Sequence, residues 1–240
     1  MTATASPKVT AGAQGNYRWV YLWHWPIRAM HWAAAVSIVV LVATGFYIGK
    51  PYFMTGGELG TAYAMGWMRF LHFTAAGVVV ATGIVRVYWL LMGNKFERWT
   101  ALFPIRPRDW VNLLKTIRKY LLIHPEKGPH YLGHNPLQQF SYTGIYVVTA
   151  VMVVTGFAMY GLANPGGFFY TLFTSWVSPL FGGIQVVRFF HHVLAWVFII
   201  FLPLHVYLAL RSDVTDREGT MSSIFSGGRF VRTDAHYEDD

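Results

Sequence analysis

Four long stretches of the chain are almost free of charged residues, and they constrain the fold more than any other feature. They lie at about 29–49, 69–93, 140–163 and 188–210. Each is as long as the roughly 20 apolar residues that one bilayer-spanning helix needs. Only 12% of the 240 residues are charged, whereas a soluble domain normally has about 25%. The sequence therefore predicts an all-α integral membrane protein, built as a bundle of four transmembrane helices.

Lys and Arg are unevenly distributed among the polar segments. Three lie in residues 1–28, one in 50–68, eight in 94–139, none in 164–187 and four in 211–240. Because cytoplasmic segments carry the excess of Lys and Arg, we expect both termini and the central connection in the cytoplasm of a bacterial inner membrane. The other two connections then face the periplasm. The net charge of +8 is read as this topology signal, and no nucleic-acid partner is expected.

Two connections contain further helical patterns. The connection 164–187 is uncharged, but Pro165, Pro179 and two Gly-Gly pairs interrupt it, and its freed backbone groups would stay unsatisfied inside lipid. We expect a short periplasmic interfacial helix there, with a fifth span as the alternative. The central DWVNLLKTIRKYLL (109–122) spaces its apolar residues near the helical period between Lys and Arg. This pattern predicts a cytoplasmic amphipathic helix lying on the lipid surface.

The chain divides into three predicted parts. Residues 1–20 are polar and lack the apolar segment of a signal peptide, so they are predicted to be a disordered cytoplasmic tail. Residues 21–213 are predicted to form the membrane domain. Residues 214–240 are predicted to be a cytoplasmic C-terminal tail.

Histidine is the residue type with most of the metal-ligating potential. The sequence has ten histidines and no cysteine, which excludes thiolate-ligated iron–sulfur clusters and covalently attached c-type haem in this chain. Three of the histidines lie in the fourth apolar stretch, RFFHHVLAWVFIIFLPLHVYLAL (188–210). Ionisable side chains are rare inside spans and are functional candidates there.

The histidine positions match across helices. His191 and His205 are 14 residues apart, so on a helix they differ by about 40° in direction and about 21 Å in depth. His72 on the second stretch falls at the outer level with His191, and His31 on the first stretch falls at the inner level with His205. Two facing imidazoles at each of two levels are the ligand set that two b haems require. His24, seven residues before His31, is the alternative inner ligand.

Other residues repeat the same spacing. Gly45 lies 14 residues after His31, where the missing side chain would let a porphyrin approach the backbone; helix packing is the alternative. Arg86 lies 14 residues after His72, and a buried arginine needs an anionic partner, for which a haem propionate is a candidate. The further candidates for propionate contacts, near the two membrane surfaces, are Arg28, Arg69 and Arg188.

The segments around these histidines resemble one known family. They are RAMHWAAAVSIVVLVATG (28–45), MGWMRFLHF (65–73), GHNP (133–136), RFFHHVLAW (188–196) and HVYLALRSD (205–213). Together they resemble the b-type cytochrome subunit of membrane-bound nickel–iron hydrogenases, and the resemblance covers residues 21–213. It implies a four-helix bundle that binds two b haems.

The resemblance implies the same four ligands. His31 and His205 would bind the haem on the cytoplasmic side, and His72 and His191 the haem on the periplasmic side. His192 falls where relatives commonly have another basic residue, so it is not expected to bind iron.

The resemblance also implies partners and a function. Such a subunit joins the periplasmic small and large subunits of a [NiFe] hydrogenase to the lipid bilayer. It passes their electrons through two haems, about 20 Å apart, to a quinone. The hydrogen chemistry itself would lie in the partner, and complexes of this kind are often dimers of the whole assembly.

A quinone site is expected beside the inner haem. Asn135 and Gln138 are the candidates, with His134 as a proton relay, because a similar Asn-x-x-Gln stretch contributes to the quinone site of related formate dehydrogenase subunits. The alternative is structural, since Asn135 before Pro136 is a favoured start for a helix.

Three other functions stay open at the level of the sequence. The two-haem plan also occurs in cytochrome subunits of formate dehydrogenase and thiosulfate reductase, and in stand-alone b561-type proteins. A transporter or proton channel would use the histidines as a relay and would be colourless. A passive anchor would leave quinone reduction unaffected by His→Ala changes.

Overall fold

The computed structural model describes residues 17–52, 63–120 and 129–240. In chain order the elements are β1 (Tyr17–Tyr21), α1 (Trp25–Gly49), α2 (Ala64–Met92), α3 (Trp99–Leu102), α4 (Pro107–Tyr120), α5 (Pro136–Tyr160), α6 (Ser175–Leu180), α7 (Ile184–Asp216), α8 (Ser223–Ser226) and β2 (Gly228–Arg232). A 3₁₀ turn (Gly161–Ala163) follows α5, and a π-helical turn (Tyr170–Thr174) precedes α6.

Within the described part of the chain, four helices are long and apolar enough to cross a membrane. The qualifying segments are Trp25–Gly49, Ala64–Met92, Pro136–Ala163 and Ile184–Thr215. They confirm the predicted bundle of four transmembrane helices. Each begins a few residues before the predicted stretch, because the prediction followed the loss of charge whereas a helix continues through polar residues. Pro26 and Pro136 stand in the first turns of α1 and α5, where the missing N–H has no helical partner in any case.

The outward surface of the bundle is apolar. Val36 is 62% exposed, Ile84 67% and Ile200 65%. Soluble monomers rarely present a large continuous apolar surface of this kind. Small polar residues such as Thr44 and Thr155 are buried instead. The bundle therefore turns its apolar side chains toward lipid and its few polar ones inward.

The two ends of the bundle differ. α1 packs against α2 and α7, and α5 packs against α7. One end carries both strands and is called the sheet end below. The other end includes the C-terminus of α1 and residues 161–183, and it is called the distal end.

The two termini of the described chain meet at the sheet end. β1 and β2 pair antiparallel, with Tyr17 opposite Arg232 and Tyr21 opposite Gly228. Asp239 accepts hydrogen bonds from the backbone N–H groups of Leu132, at 2.6 Å, and Gly133, at 2.8 Å. The C-terminus is thereby tied to the segment that precedes α5. The small core at this end consists of Leu22, Phe96, Leu132, Val231 and Tyr237.

Both predicted tails contribute a strand to this sheet. Residues 17–20, predicted as the end of a disordered tail, lie in β1, and residues 214–240 contain the end of α7, α8 and β2. Each strand is short, and its partner lies at the other end of the chain, where local sequence does not reveal it. An isolated two-stranded pair is marginal in water, so the sheet depends on packing against the sheet end of the bundle. Residues 1–16 lie outside the described part of the chain.

Both predicted surface helices have a counterpart in the structure. α6 lies within residues 164–187 and has six residues, far fewer than the roughly 20 that a span needs. Its Val177 packs with Ala158 and Val187 in a buried cluster. α4 covers most of the predicted helix 109–122, of which residues 121 and 122 lie outside the described residues.

Candidate functional site

His31 on α1 and His205 on α7 face each other near the sheet end. Their ring centres are 6.3 Å apart, and the ring planes are inclined by 45°. Trp32 makes an edge contact with His31, with ring centres 5.1 Å apart. Phe201 stacks on His205 at 5.3 Å. Each imidazole is thus held by an aromatic neighbour on its own helix.

The spacing of this pair fits a single metal ion. A metal–imidazole nitrogen bond is about 2 Å long and the ring centre lies about 1 Å behind the nitrogen, so two imidazoles on opposite sides of one iron have centres about 6 Å apart. The observed distance is 6.3 Å. The pair therefore fits the axial ligands of a haem iron.

His72 on α2 and His191 on α7 form the second pair, at the distal end. Their side chains lie within electrostatic reach of each other. Nδ1 of His72 is 2.9 Å from Oγ1 of Thr44, and Nδ1 of His191 is 2.8 Å from Oγ1 of Thr155. Fourteen residues separate His191 from His205 along α7, or about 21 Å. The four histidines are thus grouped at two levels of the bundle.

One known protein family matches most of the chain. Residues 22–227 match the family described as prokaryotic cytochrome b561. The chain belongs to this family. Membership shows that the chain is a membrane protein and a b-type cytochrome, and haem b and electron transport follow from that family.

Similar proteins carry one common description. A probable Ni/Fe-hydrogenase B-type cytochrome subunit of Azotobacter chroococcum mcd 1 is 42% identical over 219 residues, which cover 90% of this chain and 90% of that protein. The protein of Cupriavidus necator with the same description is 34% identical, with 95% and 93% covered. A probable Ni/Fe-hydrogenase 1 B-type cytochrome subunit of Escherichia coli (strain K12) is 30% identical, with 87% and 90% covered.

In this b561-family bundle, His24 has a different partner. Its ring Nδ1 lies 2.8 Å from Oε2 of Glu97, and its backbone N–H donates to Oε1 at 2.6 Å. Glu97 is fully buried and also accepts from Trp89 Nε1 at 3.0 Å and from the N–H of Asn94 at 3.1 Å. His24 therefore belongs to a polar contact at the edge of the bundle. Sequence reasoning missed Glu97.

His192 lies within electrostatic reach of His72 and His191, but its hydrogen bond and its packing differ from theirs. Its Nδ1 lies 3.3 Å from the backbone oxygen of Arg188. The rest of the ring fills the space beside Gly49 at the end of α1, where an added Cβ would collide with the imidazole. His192 thus occupies a packing position between α7 and α1.

Arg86, predicted to meet a propionate, has protein partners in the structure. Its Nε donates to the hydroxyl of Tyr146 at 3.2 Å, and its NH1 donates to the backbone oxygen of Glu97 at 3.1 Å. These bonds explain how this span tolerates an arginine.

The other three arginines lie in different surroundings. Arg28 donates through NH1 to the backbone oxygen of Phe225, while its Nε is buried without a partner among the described residues. Arg69 and Arg188 are exposed, and Arg188 donates to Gln185 at 3.3 Å. Arg28, one turn before His31, has the unused buried donor that would suit an anionic group.

Asn135 and Gln138 cap α5. The side-chain oxygen of Asn135 accepts from the N–H of Gln138 at 3.0 Å, and that of Gln138 accepts from the N–H of Asn135 at 2.9 Å. The reciprocal pair is a capping box. The structural alternative therefore accounts for both side-chain oxygens.

His134 borders a cavity of about 320 Å³ at the sheet end. Three residues of the lining have a buried polar atom without a hydrogen bond to the described residues: Nδ1 of His134, Oδ2 of Asp109 and Oε1 of Gln139. Burial, and to a lesser extent the charge of Arg86, lowers the pKa of His134 to about 3. The ring is therefore neutral at physiological pH.

Proposed function

We propose that the chain is the membrane-anchoring subunit of an uptake [NiFe] hydrogenase, and that it carries electrons from the iron–sulfur chain of that enzyme, through two b haems, to the quinone pool. The observation that carries the proposal is the grouping of the four histidines at two levels of a b561-family bundle. The descriptions of the relatives support the choice of partner, because three such proteins match this chain over most of their length.

The chain's own part is to hold the two haems. His31 and His205 would be the axial ligands at the sheet end, and His72 and His191 at the distal end. Haem b supplies one-electron uptake and release when bound. With two imidazoles bound to each iron, the haems would transfer electrons and would not bind oxygen. The apolar bundle keeps water away, and the buried Nε of Arg28 can donate to a propionate.

The distribution of basic residues supports one orientation. The segment 94–139, at the sheet end, contains eight Lys and Arg, whereas 164–187, at the distal end, contains none. By the positive-inside rule the sheet end would be cytoplasmic. The hydrogenase small and large subunits would then dock at the distal end, in the periplasm of a bacterial inner membrane.

The cavity beside His134 supports a quinone site at the sheet end. A quinone carbonyl accepts hydrogen bonds and a quinol hydroxyl donates them. The cavity offers groups of both kinds, with Lys95 as a donor and Asp109 and Gln139 as acceptors. The neutral ring of His134 carries one N–H and would donate a hydrogen bond to a quinone oxygen, whereas its low pKa disfavours the predicted proton relay. Asn135 and Gln138 would contribute by fixing the start of α5 next to it.

Membranes from a strain that lacks this chain test the proposal. Two hydrogen-dependent reactions are measured: reduction of a soluble quinone analogue, and reduction of a dye that accepts electrons from the hydrogenase directly. Without the chain, quinone reduction should be lost while dye reduction persists. The wild-type chain and the His192→Ala control should restore quinone reduction, and His205→Ala should not. Full quinone reduction without the chain, or restoration that depends on formate and not on hydrogen, contradicts the proposal.

A further inference from the structure

Two helices repeat the same five-residue pattern at the distal end. α1 contains VATGF (42–46) and α5 contains VVTGF (153–157). The threonine of each pattern is almost completely buried, with Thr44 4% and Thr155 1% exposed. Both patterns lie against a histidine of a neighbouring helix, the first against His72 and the second against His191.

The threonine and the glycine of each pattern contact the same imidazole. Besides the threonine oxygens at 2.9 and 2.8 Å, a Cβ added at Gly45 would lie 3.3 Å from Cε1 of His72. A Cβ added at Gly156 would lie 3.4 Å from Cε1 of His191. Each Thr-Gly pair thus accommodates one imidazole. The threonine oxygen contacts Nδ1, and the missing side chain of the glycine leaves space for Cε1.

The direction of the threonine hydrogen bonds fixes the position of a proton. Oγ1 of Thr44 donates to the backbone oxygen of Val40 at 2.7 Å, and Oγ1 of Thr155 donates to that of Val151 at 2.7 Å. A hydroxyl has only one hydrogen, and while that hydrogen is given to the backbone oxygen, each threonine oxygen accepts on the side of the ring. The imidazole must therefore donate through Nδ1–H, and in a neutral imidazole this leaves Nε2 unprotonated, with a free lone pair.

We infer that Thr44 and Thr155 are positioning residues that hold His72 and His191 as Nδ1–H tautomers, each with Nε2 presented to the iron of the distal haem. The inference rests on the proposed ligation of that haem by these two histidines. An acceptor on the far nitrogen orients a ligating imidazole and makes it a stronger electron donor. The two threonines therefore stabilise the ferric state and lower the reduction potential of the distal haem.

The sheet-end pair lacks this arrangement for one of its rings. Nδ1 of His31 is buried without a hydrogen bond to the described residues. Because Thr44 and Thr155 contact only the distal pair, and His31 has no such acceptor, a change at either threonine should alter the reduction potential of the distal haem alone.

Valine and serine substitutions at the two threonines test the inference. Thr44→Val and Thr155→Val keep the shape and remove the acceptor, whereas Thr44→Ser and Thr155→Ser keep the acceptor. The matched control is Thr82→Val in α2, because Thr82 also precedes a glycine and donates to a backbone oxygen, that of Val79 at 2.9 Å, while a Cβ at Gly83 would meet open space. Each purified chain is titrated optically against potential, and its haem content and low-spin electron paramagnetic resonance signals are recorded.

The valine variants should shift one of the two haem midpoints to higher potential and change one low-spin signal, with the serine variants and Thr82→Val close to wild type. Loss of one haem in the valine variants and its retention in the serine variants supports the same role. Midpoints equal to wild type in the valine variants, or equal effects of valine and serine, overturn the inference. If the wild-type chain still contains two haems in that case, the proposed function is unaffected. A wild-type chain with fewer than two haems defeats the proposed function itself.

Discussion

Glu97 is a fully buried carboxylate, and its surroundings explain how the bundle tolerates it. Donors approach it from a histidine ring, an indole and two backbone N–H groups, at 2.6 to 3.1 Å. A buried charge is stable only when paired and hydrogen-bonded in this way. Because its donors come from the start of α1, the end of α2 and the loop between α2 and α3, Glu97 fastens these segments at the sheet end.

Glu97→Gln should lower the free energy of unfolding by about 2 kcal/mol, because hydrogen bonds to a charged acceptor are replaced by bonds to a neutral amide whose NH₂ group faces donors. The loss is measured as a lower melting temperature of the detergent-solubilised chain. Asp234→Asn, which removes an exposed partner of Arg232, is the control and should melt like wild type. Equal melting temperatures for both variants would show that the Glu97 contacts do not stabilise the fold.

His205→Ala should remove the sheet-end haem and leave the distal one, because only the sheet-end pair loses an axial ligand. The measurement is the haem content of the purified variant together with its optical redox titration, which should show one haem and one midpoint. His192→Ala, the control next to the other pair, should keep two. Loss of both haems from a variant that is otherwise folded would argue against ligation at two separate levels.

At the residue scale, the sequence predicted positions better than partners. His191 and His205 could be placed on one face of a helix because the helical period fixes their angle. The threonine contacts could not be predicted, since buried threonines in spans commonly bond only their own helix. The pairing of His24 with Glu97 depends on how the loop after α2 folds back, which no local pattern determines.

At the element scale, α4 has an inverted surface. Its polar Asp109, Asn112 and Thr116 are buried, whereas Val111 and Leu114 are 63% and 53% exposed. Asn112 donates to the hydroxyl of Tyr131 at 3.0 Å, which gives the polar face a partner inside the protein. The exposed apolar face is explained if lipid covers it, as expected for a helix that lies on the bilayer.

A spin label tests this placement of α4, and the absence of cysteine from the chain makes single labels straightforward. In a lipid-reconstituted chain, a label at Val111→Cys should be more accessible to oxygen, which concentrates in lipid, than to a polar nickel complex. The control label at Asp234→Cys, on an exposed turn next to β2, should show the opposite preference. Equal exposure of both labels to the polar complex would place α4 in water.

The elements differ in how far they could be predicted. The four spans were recognisable because the bilayer demands a length of apolar sequence that few other structures need. β1 and β2 were missed because each is five residues long and pairs with the opposite end of the chain. α4 was recognised by its apolar spacing, but which of its faces packs against the protein depended on Tyr131 and on α5.

At the scale of the whole molecule, the proposed function requires one orientation. The distal end must face the hydrogenase, and the sheet end must face the cytoplasm. The unequal distribution of Lys and Arg between 94–139 and 164–187 supports this orientation through the positive-inside rule.

A membrane-impermeant maleimide tests the orientation in intact spheroplasts. Ser175→Cys, exposed at the distal end, should react at once, whereas Ser222→Cys, exposed at the sheet end, should react only after the membrane is permeabilised. If Ser222→Cys reacted at once and Ser175→Cys only after permeabilisation, the orientation would be opposite to the proposed one, and the proposed hydrogenase contact would face the cytoplasm.

The central claim is that each pair of imidazoles holds one haem. The most direct measurement is the haem b content per polypeptide of the purified chain, taken from the pyridine haemochrome spectrum and an amino-acid analysis of the same sample. The two-level arrangement of His31 with His205 and of His72 with His191 predicts two haems per chain. A value of one or zero in a correctly folded preparation would contradict it.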